Sequence, residues 1–184
     1  MSYATHFMGF DITYTCIGPN QYEVTLKAYR DCSGVSLSNS FPLSYSSASC
    51  GVSASITLNR VSVEDITPLC PSVTSLCSGG SGLGVEAHTY TGTLNLPTGC
   101  SDWVLSTSSC CRNNAITNLS SPGSNSIYID AELDNTVTPC NSSPVFASDP
   151  TPFTCVGQNV VYQQLATDVD GDSLVYSLWP LHYH

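Results

Sequence analysis

Three aspartates at alternating positions, Asp168, Asp170 and Asp172, form the densest run of charge in the chain and are its first candidates for chemistry. They stand in Leu165-Ala-Thr-Asp168-Val-Asp170-Gly171-Asp172-Ser-Leu174, ahead of an alternating apolar run that ends at Leu178. An extended backbone sends every second side chain to one side, so the three carboxylates crowd together. Crowded carboxylates repel one another unless a cation or several donors neutralise them. The stretch therefore reads either as half of a calcium site or as a solvated acidic turn entering a strand. It is not an EF-hand: Gly171 comes two positions too early, and Trp179 stands where the closing glutamate belongs. Asp149, in the segment upstream, is the carboxylate placed to help hold an ion.

Sulfur is the second resource. Ten cysteines sit at Cys16, Cys32, Cys50, Cys70, Cys77, Cys100, Cys110, Cys111, Cys140 and Cys155, an even number without any C-x-x-C. That spacing fits no common zinc ribbon or finger, so the expectation is a disulfide framework formed in an oxidising compartment. In a straight hairpin over residues 10–28, Cys16 lies at the turn and Cys32 beyond the open end, roughly 30 Å apart at the rise of an extended strand. A bridge needs Cα atoms within about 7 Å, so Cys16 and Cys32 are not expected to pair. Cys110 and Cys111 point to opposite faces of a strand, which implies two different partners. Cys70 and Cys77 close a small local loop and are the best single pairing.

The remaining candidates weigh toward structure. Arg30 and Arg112 stand out because the chain holds only four Lys and Arg residues, and each suits either an anionic ligand or a buried pair with a carboxylate such as Asp31 or Asp130. Their neighbouring cysteines favour the buried pair. Trp103, Tyr14 and Tyr22 run in phase with Val and Ile, which assigns them to a core rather than a sugar-binding groove. His182 and His184 form a chelating pair only at the chain end. Gly79-Gly-Ser-Gly82-Leu-Gly84 has its glycines at the wrong offsets for a dinucleotide loop or a nucleophile elbow and reads as a flexible tip. No Ser or Cys can be matched by spacing with a base and an orienting acid, so the chain is read as not an enzyme.

The elements that carry these residues are strands. Phe10–Cys16 and Tyr22–Ala28 alternate on either side of Ile17-Gly-Pro-Asn20, predicting a hairpin with Ile12, Tyr14, Tyr22, Val24, Leu26 and Ala28 buried. Further strands are expected over 42–46, 52–63, 85–96, 102–109 and 126–133. The prolines at 139, 144, 150 and 152 mark a stiff connector, and two more strands are expected at 159–165 and 174–178. The expected architecture is all-β: a disulfide-rich immunoglobulin-like β-sandwich over residues 1–148, then, over 149–184, a connector and the first strands of a second cadherin/Ig-like domain. The net charge of −10 removes nucleic acid and anionic membranes from the list of partners, because phosphate binding needs a basic footprint. With no signal-peptide pattern at its start, the chain is expected to be a mature fragment of a longer exported protein.

Several motifs then line up in order: His6-Phe-Met-Gly9-Phe-Asp-Ile-Thr-Tyr14-Thr-Cys16, Asn20-Gln-Tyr22-Glu-Val-Thr-Leu26, Tyr29-Arg30-Asp31-Cys32, Cys110-Cys111-Arg112-Asn113, Asn141-Ser-Ser-Pro144-Val-Phe146, and Ala166-Thr-Asp168-Val-Asp170-Gly171-Asp172-Ser-Leu174-Val-Tyr176. Together they resemble the N-terminal region of giant cell-surface proteins of Bacteroidota-type bacteria, similar to the SprB-like gliding-motility adhesins exported by type IX secretion. The resemblance implies an extracellular location at the bacterial cell surface. It also implies a non-catalytic role in adhesion, gliding or assembly of a surface filament. The partners it implies are a surface polysaccharide, another cell-surface protein, or a second copy joined through an exposed sheet edge. The alternative, from a different class, is a carbohydrate-binding module of a secreted polysaccharide-acting protein.

Overall fold

The computed structural model describes residues 7–70, 72–138, 140–150, 157, 159, 161, 163 and 165–178. Its main body is all-β, with seven antiparallel strands: β1 (Phe7–Gly18), β2 (Gln21–Asp31), β3 (Ser40–Ser47), β4 (Val52–Asp65), β5 (Val85–Asn95), β6 (Trp103–Ser109) and β7 (Ile127–Leu133). Two-residue strands β8 (Val145–Phe146) and β9 (Ala166–Thr167) form a separate ladder.

The β1–β2 hairpin follows the expected alternation. Tyr22, Val24, Leu26 and Ala28 are fully buried, Ile12 and Tyr14 nearly so, and Glu23 is exposed. Gly18 pairs with Gln21, so Pro19 and Asn20 make the loop. Asn20 has φ 56°, a left-handed conformation that asparagine tolerates, and the proline before it supplies the fixed negative φ of the preceding loop position.

The spatial order is β1-β2-β5-β4-β3-β6-β7, one continuous sheet rather than the two hydrogen-bonded sheets of an immunoglobulin sandwich. Strands 3, 4 and 5 run as a meander, and β6 returns to lie beside β3, which is Greek-key connectivity. The sheet nevertheless encloses a core, because it folds over until its edges meet. Phe10 of β1 packs against Phe41 of β3 with ring centroids 5.6 Å apart, and the Tyr14 hydroxyl donates to the carbonyl of Glu132 in β7 at 2.9 Å. One apolar cluster thus draws residues from all seven strands, with Trp103, Tyr22, Tyr90, Leu43, Leu58 and Leu105 completely buried. Two local features fit strands into this packing. At Gly92, facing Val24 across the β2–β5 ladder, an added Cβ would come within 2.7 Å of Leu58. At Pro42, which has no N–H to offer, the Thr107 hydroxyl donates to the proline carbonyl at 2.8 Å.

Four disulfides are formed among the described residues: Cys16–Cys140, Cys32–Cys77, Cys50–Cys100 and Cys110–Cys111. They indicate an oxidising environment, extracellular or periplasmic. No helix of the described residues is long and apolar enough to cross a membrane. As expected, Cys16 and Cys32 take different partners. Two other expectations are corrected. The local Cys70–Cys77 pair does not form, because β2 lies beside β5 in the sheet: the Cys32 amide donates to the Gly84 carbonyl at 3.0 Å, and Cys77 folds back to meet Cys32. Cys70 is exposed and unbridged, and Cys155 lies outside the described residues. Cys110 and Cys111 do not face two partners but bond to each other, since β6 ends at Ser109 and Cys111 turns into the left-handed region with φ 90°. With eight of the ten cysteines bridged, a thiol titration of the denatured, unreduced protein is expected to count two thiols at most. A count of four or more would remove at least one of these bridges.

The glycine-rich segment expected as a flexible tip is instead tightly wrapped. The Gly80 amide donates to the Ser75 carbonyl at 2.8 Å, and a Cβ at Gly80 would stand 2.1 Å from the carbonyl oxygen of Thr74. Asp65 organises this loop from the end of β4. Burial pushes its carboxyl up, but donors from Ser75, Thr67 and Ser78 outweigh that effect and bring it down to about 2. Asp102 does the same for the turn between β3 and β4: hydroxyls of Ser47 and Ser49 and the Ser49 amide donate to it, again lowering it to about 2.

Candidate functional site

The acidic turn docks onto the segment that follows β7, and that segment docks onto β1. The Ser143 amide donates to the Tyr14 carbonyl and the Tyr14 amide donates to the Ser143 hydroxyl, both at 2.8 Å. The Cys16 amide donates to the Ser142 hydroxyl at 3.2 Å, beside the Cys16–Cys140 bridge. Residues 140–143 therefore cover part of the outer edge of β1, a position where unpaired backbone groups would otherwise invite another chain.

On this strap the three aspartates divide their work. Asp168 does not join the others: its Oδ1 accepts the backbone amides of Asp170 at 2.9 Å and Asp172 at 3.1 Å, closing the turn on itself. Gly171, with φ 84°, supplies the left-handed residue that this closure needs. Asp170 then reaches back to accept the Ser142 amide at 2.7 Å. The side-chain amide of Asn141 lies 3.2 Å from an oxygen of Asp170 and 3.2 Å from one of Asp172, and with its nitrogen turned toward them it donates to both. Donors of the protein itself thus meet the crowded carboxylates. Asp149 takes no part; it pairs with Lys27 at 3.1 Å. Residues 174–178, expected as a strand, make no ladder, and most of their side chains are exposed, Val175 and Leu178 almost fully. The Tyr176 hydroxyl accepts the amide of Ala166 at 3.1 Å. The 159–165 strand falls partly outside the described residues, as do Trp179, His182 and His184.

Arg30 and Arg112 are both buried, but with partners other than those expected. Arg30 pairs through Nη1 with Glu86, directly across the β2–β5 ladder, and donates to the carbonyls of Cys32, Gly34 and Val35. Arg112 donates to the Ser126 carbonyl at 3.1 Å. His88, the histidine among the described residues, has its ring nitrogens engaged by Arg60 and Glu86. Burial holds its pKa below the usual histidine value despite the neighbouring Glu86, so the ring is neutral and Arg30–Glu86 is the ion pair of the group. Cys32, Cys77 and Glu86 lie close enough together to suggest metal ligands, but the two sulfurs are bonded to each other and offer no thiolate. The Asn141 contribution to the acidic turn was missed by sequence reasoning, because nothing local links position 141 to position 170. Comparison with families of known proteins, with curated proteins and with solved structures finds no significant match to this chain.

Proposed function

We propose that this chain is a non-catalytic extracellular module of a bacterial surface adhesin or filament, serving adhesion, gliding or appendage assembly. The observation that carries this reading is the placement of the three long-range bridges. Cys16–Cys140 ties the hairpin end of β1 to the strap, Cys50–Cys100 ties the β3–β4 turn to the start of β6, and Cys32–Cys77 ties β2 to the loop before β5. Each crosslink joins parts far apart in sequence, so a chain pulled from its ends is held by covalent bonds before much of the sheet can peel. Only 10% of the chain's residues are charged, which suits contacts with hydroxylated or neutral partners. Antibody labelling of intact source cells, with loss of attachment or gliding in a deletion strain, tests the proposal. Labelling only after lysis would sink it. Unchanged attachment with loss of growth on a polysaccharide would favour the carbohydrate-binding alternative.

Calcium belongs to the proposal as a ligand of the acidic turn. A half-rotation of the Asn141 amide exchanges its nitrogen for its oxygen, and Asp170, Asp172 and Asn141 then present three oxygens to a hard cation. Extracellular modules bind calcium in the millimolar range, so at tenfold excess over the dissociation constant the ion would add about 1.4 kcal/mol. Thermal unfolding in calcium and in chelator should differ by that amount in the native chain and not in Asp170→Asn. Identical midpoints would leave the turn held by its own donors alone.

A further inference from the structure

The register of the β1–β2 hairpin sets Asp11 opposite Lys27, Thr13 opposite Thr25 and Gly9 opposite Tyr29. Asp11, Thr13, Thr25 and Lys27 alternate with the buried side chains and so share the outer face of the hairpin, where Tyr29, in the same phase, is itself covered and only 3% exposed. The segment from Val145 to Pro150 runs over that face, fixed by the β8–β9 ladder and by the Lys27–Asp149 pair. Between hairpin and segment lie two cavities of about 310 and about 200 Å³, and Asp11 and Tyr29 line both.

The chemistry of this divided groove is narrow. The Tyr29 hydroxyl donates to Asp11 Oδ2 at 2.5 Å, which orients the carboxylate and leaves its other oxygen to accept from a ligand. Thr13, Thr15 and Thr25 add hydroxyls that both donate and accept along the smaller cavity. The ammonium of Lys27 is already paired with Asp149, and the chain carries a net charge of −10, so an anionic ligand is disfavoured. A divalent cation would have to draw Asp11 from Tyr29 and Asp149 from Lys27 to gather its carboxylate oxygens. Val145 and Phe146 contribute apolar surface, 45% and 40% exposed, against which a C–H face can lie. Burial raises the Asp11 pKa, in keeping with a carboxyl set apart from bulk water.

We propose that this groove binds a neutral saccharide, with neighbouring sugar units on either side of Asp11 and Tyr29 and the threonine hydroxyls reading the sugar hydroxyls. The proposal deepens the surface-module reading, on which it rests for its biological setting, by naming the class of ligand and the place it occupies. The test is an NMR titration of the full chain with neutral hexasaccharides (cello-, malto-, laminari- and xylohexaose) at millimolar concentrations. Saturable shifts centred on Asp11, Thr13, Thr25 and Tyr29 are expected for at least one of them. Thr13→Val with Thr25→Val removes two hydroxyls at constant shape in strands that favour valine, and should weaken that binding by about 10- to 100-fold with the thermal midpoint unchanged. Asp11→Asn should weaken it as well. Absence of saturable shifts with every hexasaccharide, shifts that map away from the hairpin face, or binding that survives both variants would overturn the proposal. Binding is measured on the isolated protein and surface placement on intact cells, so failure of one reading leaves the other to be judged on its own result.

Discussion

Replacing Cys16 and Cys140 together by alanine is expected to cost about 4–5 kcal/mol of unfolding free energy, the most of the four bridges, on the loop-entropy account. The two residues are separated by 124 positions, against 45 for Cys32–Cys77 and 50 for Cys50–Cys100. The same account gives each of the shorter loops about 4 kcal/mol, so loop length alone separates them only slightly. The second contribution decides the order. Cys140 anchors the strap whose Ser142 and Ser143 hydrogen-bond to β1, and without the bridge those bonds must hold the strap in place alone. The vicinal Cys110–Cys111 pair encloses no intervening residue and restricts the unfolded chain little, so its double alanine variant should shift stability far less. Urea unfolding of the double variants gives the ranking. A Cys110/Cys111 variant as damaged as the Cys16/Cys140 variant would refute the loop-entropy argument and point instead to local geometry around Arg112. For a domain whose total stability is typically about 5–15 kcal/mol, a loss of that size is a large share of the whole.

What sequence could reveal followed the range over which each signal acts. The β1–β2 hairpin was legible because its two patterns of alternation flank their own turn, and burial of Tyr22, Val24, Leu26 and Ala28 is a local consequence of strand period. The remaining strands in the first 133 residues were legible for the same reason, within a few residues at their ends. Pairing between non-consecutive strands was not. The β2–β5 ladder has no signature in either strand, yet it brings Cys32 to Gly84, joins Arg30 to Glu86 and so corrects both the Cys70–Cys77 pairing and the Asp31 partner. Folding of one continuous sheet onto itself in place of two separate sheets is equally invisible, because inward alternation looks the same in both.

The acidic turn shows the same limit at a finer scale. Alternation placed Asp168, Asp170 and Asp172 on one side, which holds only while the backbone is extended. Gly171 in the left-handed region breaks that condition, and Asp168 uses the freedom to accept its neighbours' amides. What reads in sequence as half of a calcium site is tied to the segment after β7, through Ser142 and Asn141. In physical terms the turn is a clasp between the strap and the chain beyond it, whether its carboxylates are met by amides or by an ion.

Arg30→Ala is expected to cost about 3–5 kcal/mol, because it leaves a largely buried carboxylate without its charge partner. The side chains of Arg30 and Glu86 are 8% and 18% exposed, too little for water to replace the lost contacts. Three carbonyls, of Cys32, Gly34 and Val35, lose their donor at the same time, and the loop leaving β2 loses the fork that shapes it. Arg30→Met with Glu86→Gln removes both charges and should cost less than the two single changes added together, a coupling measurable as a double-mutant cycle. Additive costs would mean that the pair contributes packing alone. The pH dependence gives a second reading of the same cluster. His88 is buried with its pKa depressed below the value it has in the unfolded chain, so between those two values the unfolded state binds the extra proton. Its effect on stability is absent above about pH 6.5 and grows as a loss when the pH falls below that value. Removing Arg30 takes away one of the cations that disfavour protonation of His88 and leaves Glu86 needing a positive partner. The His88 pKa should therefore rise in Arg30→Ala, and the acid-side loss attributable to this group should shrink even as the variant is less stable at neutral pH. Chemical denaturation at a series of pH values resolves the two effects: parallel stability curves for the native chain and the variant would show that His88 does not sense the Arg30–Glu86 pair.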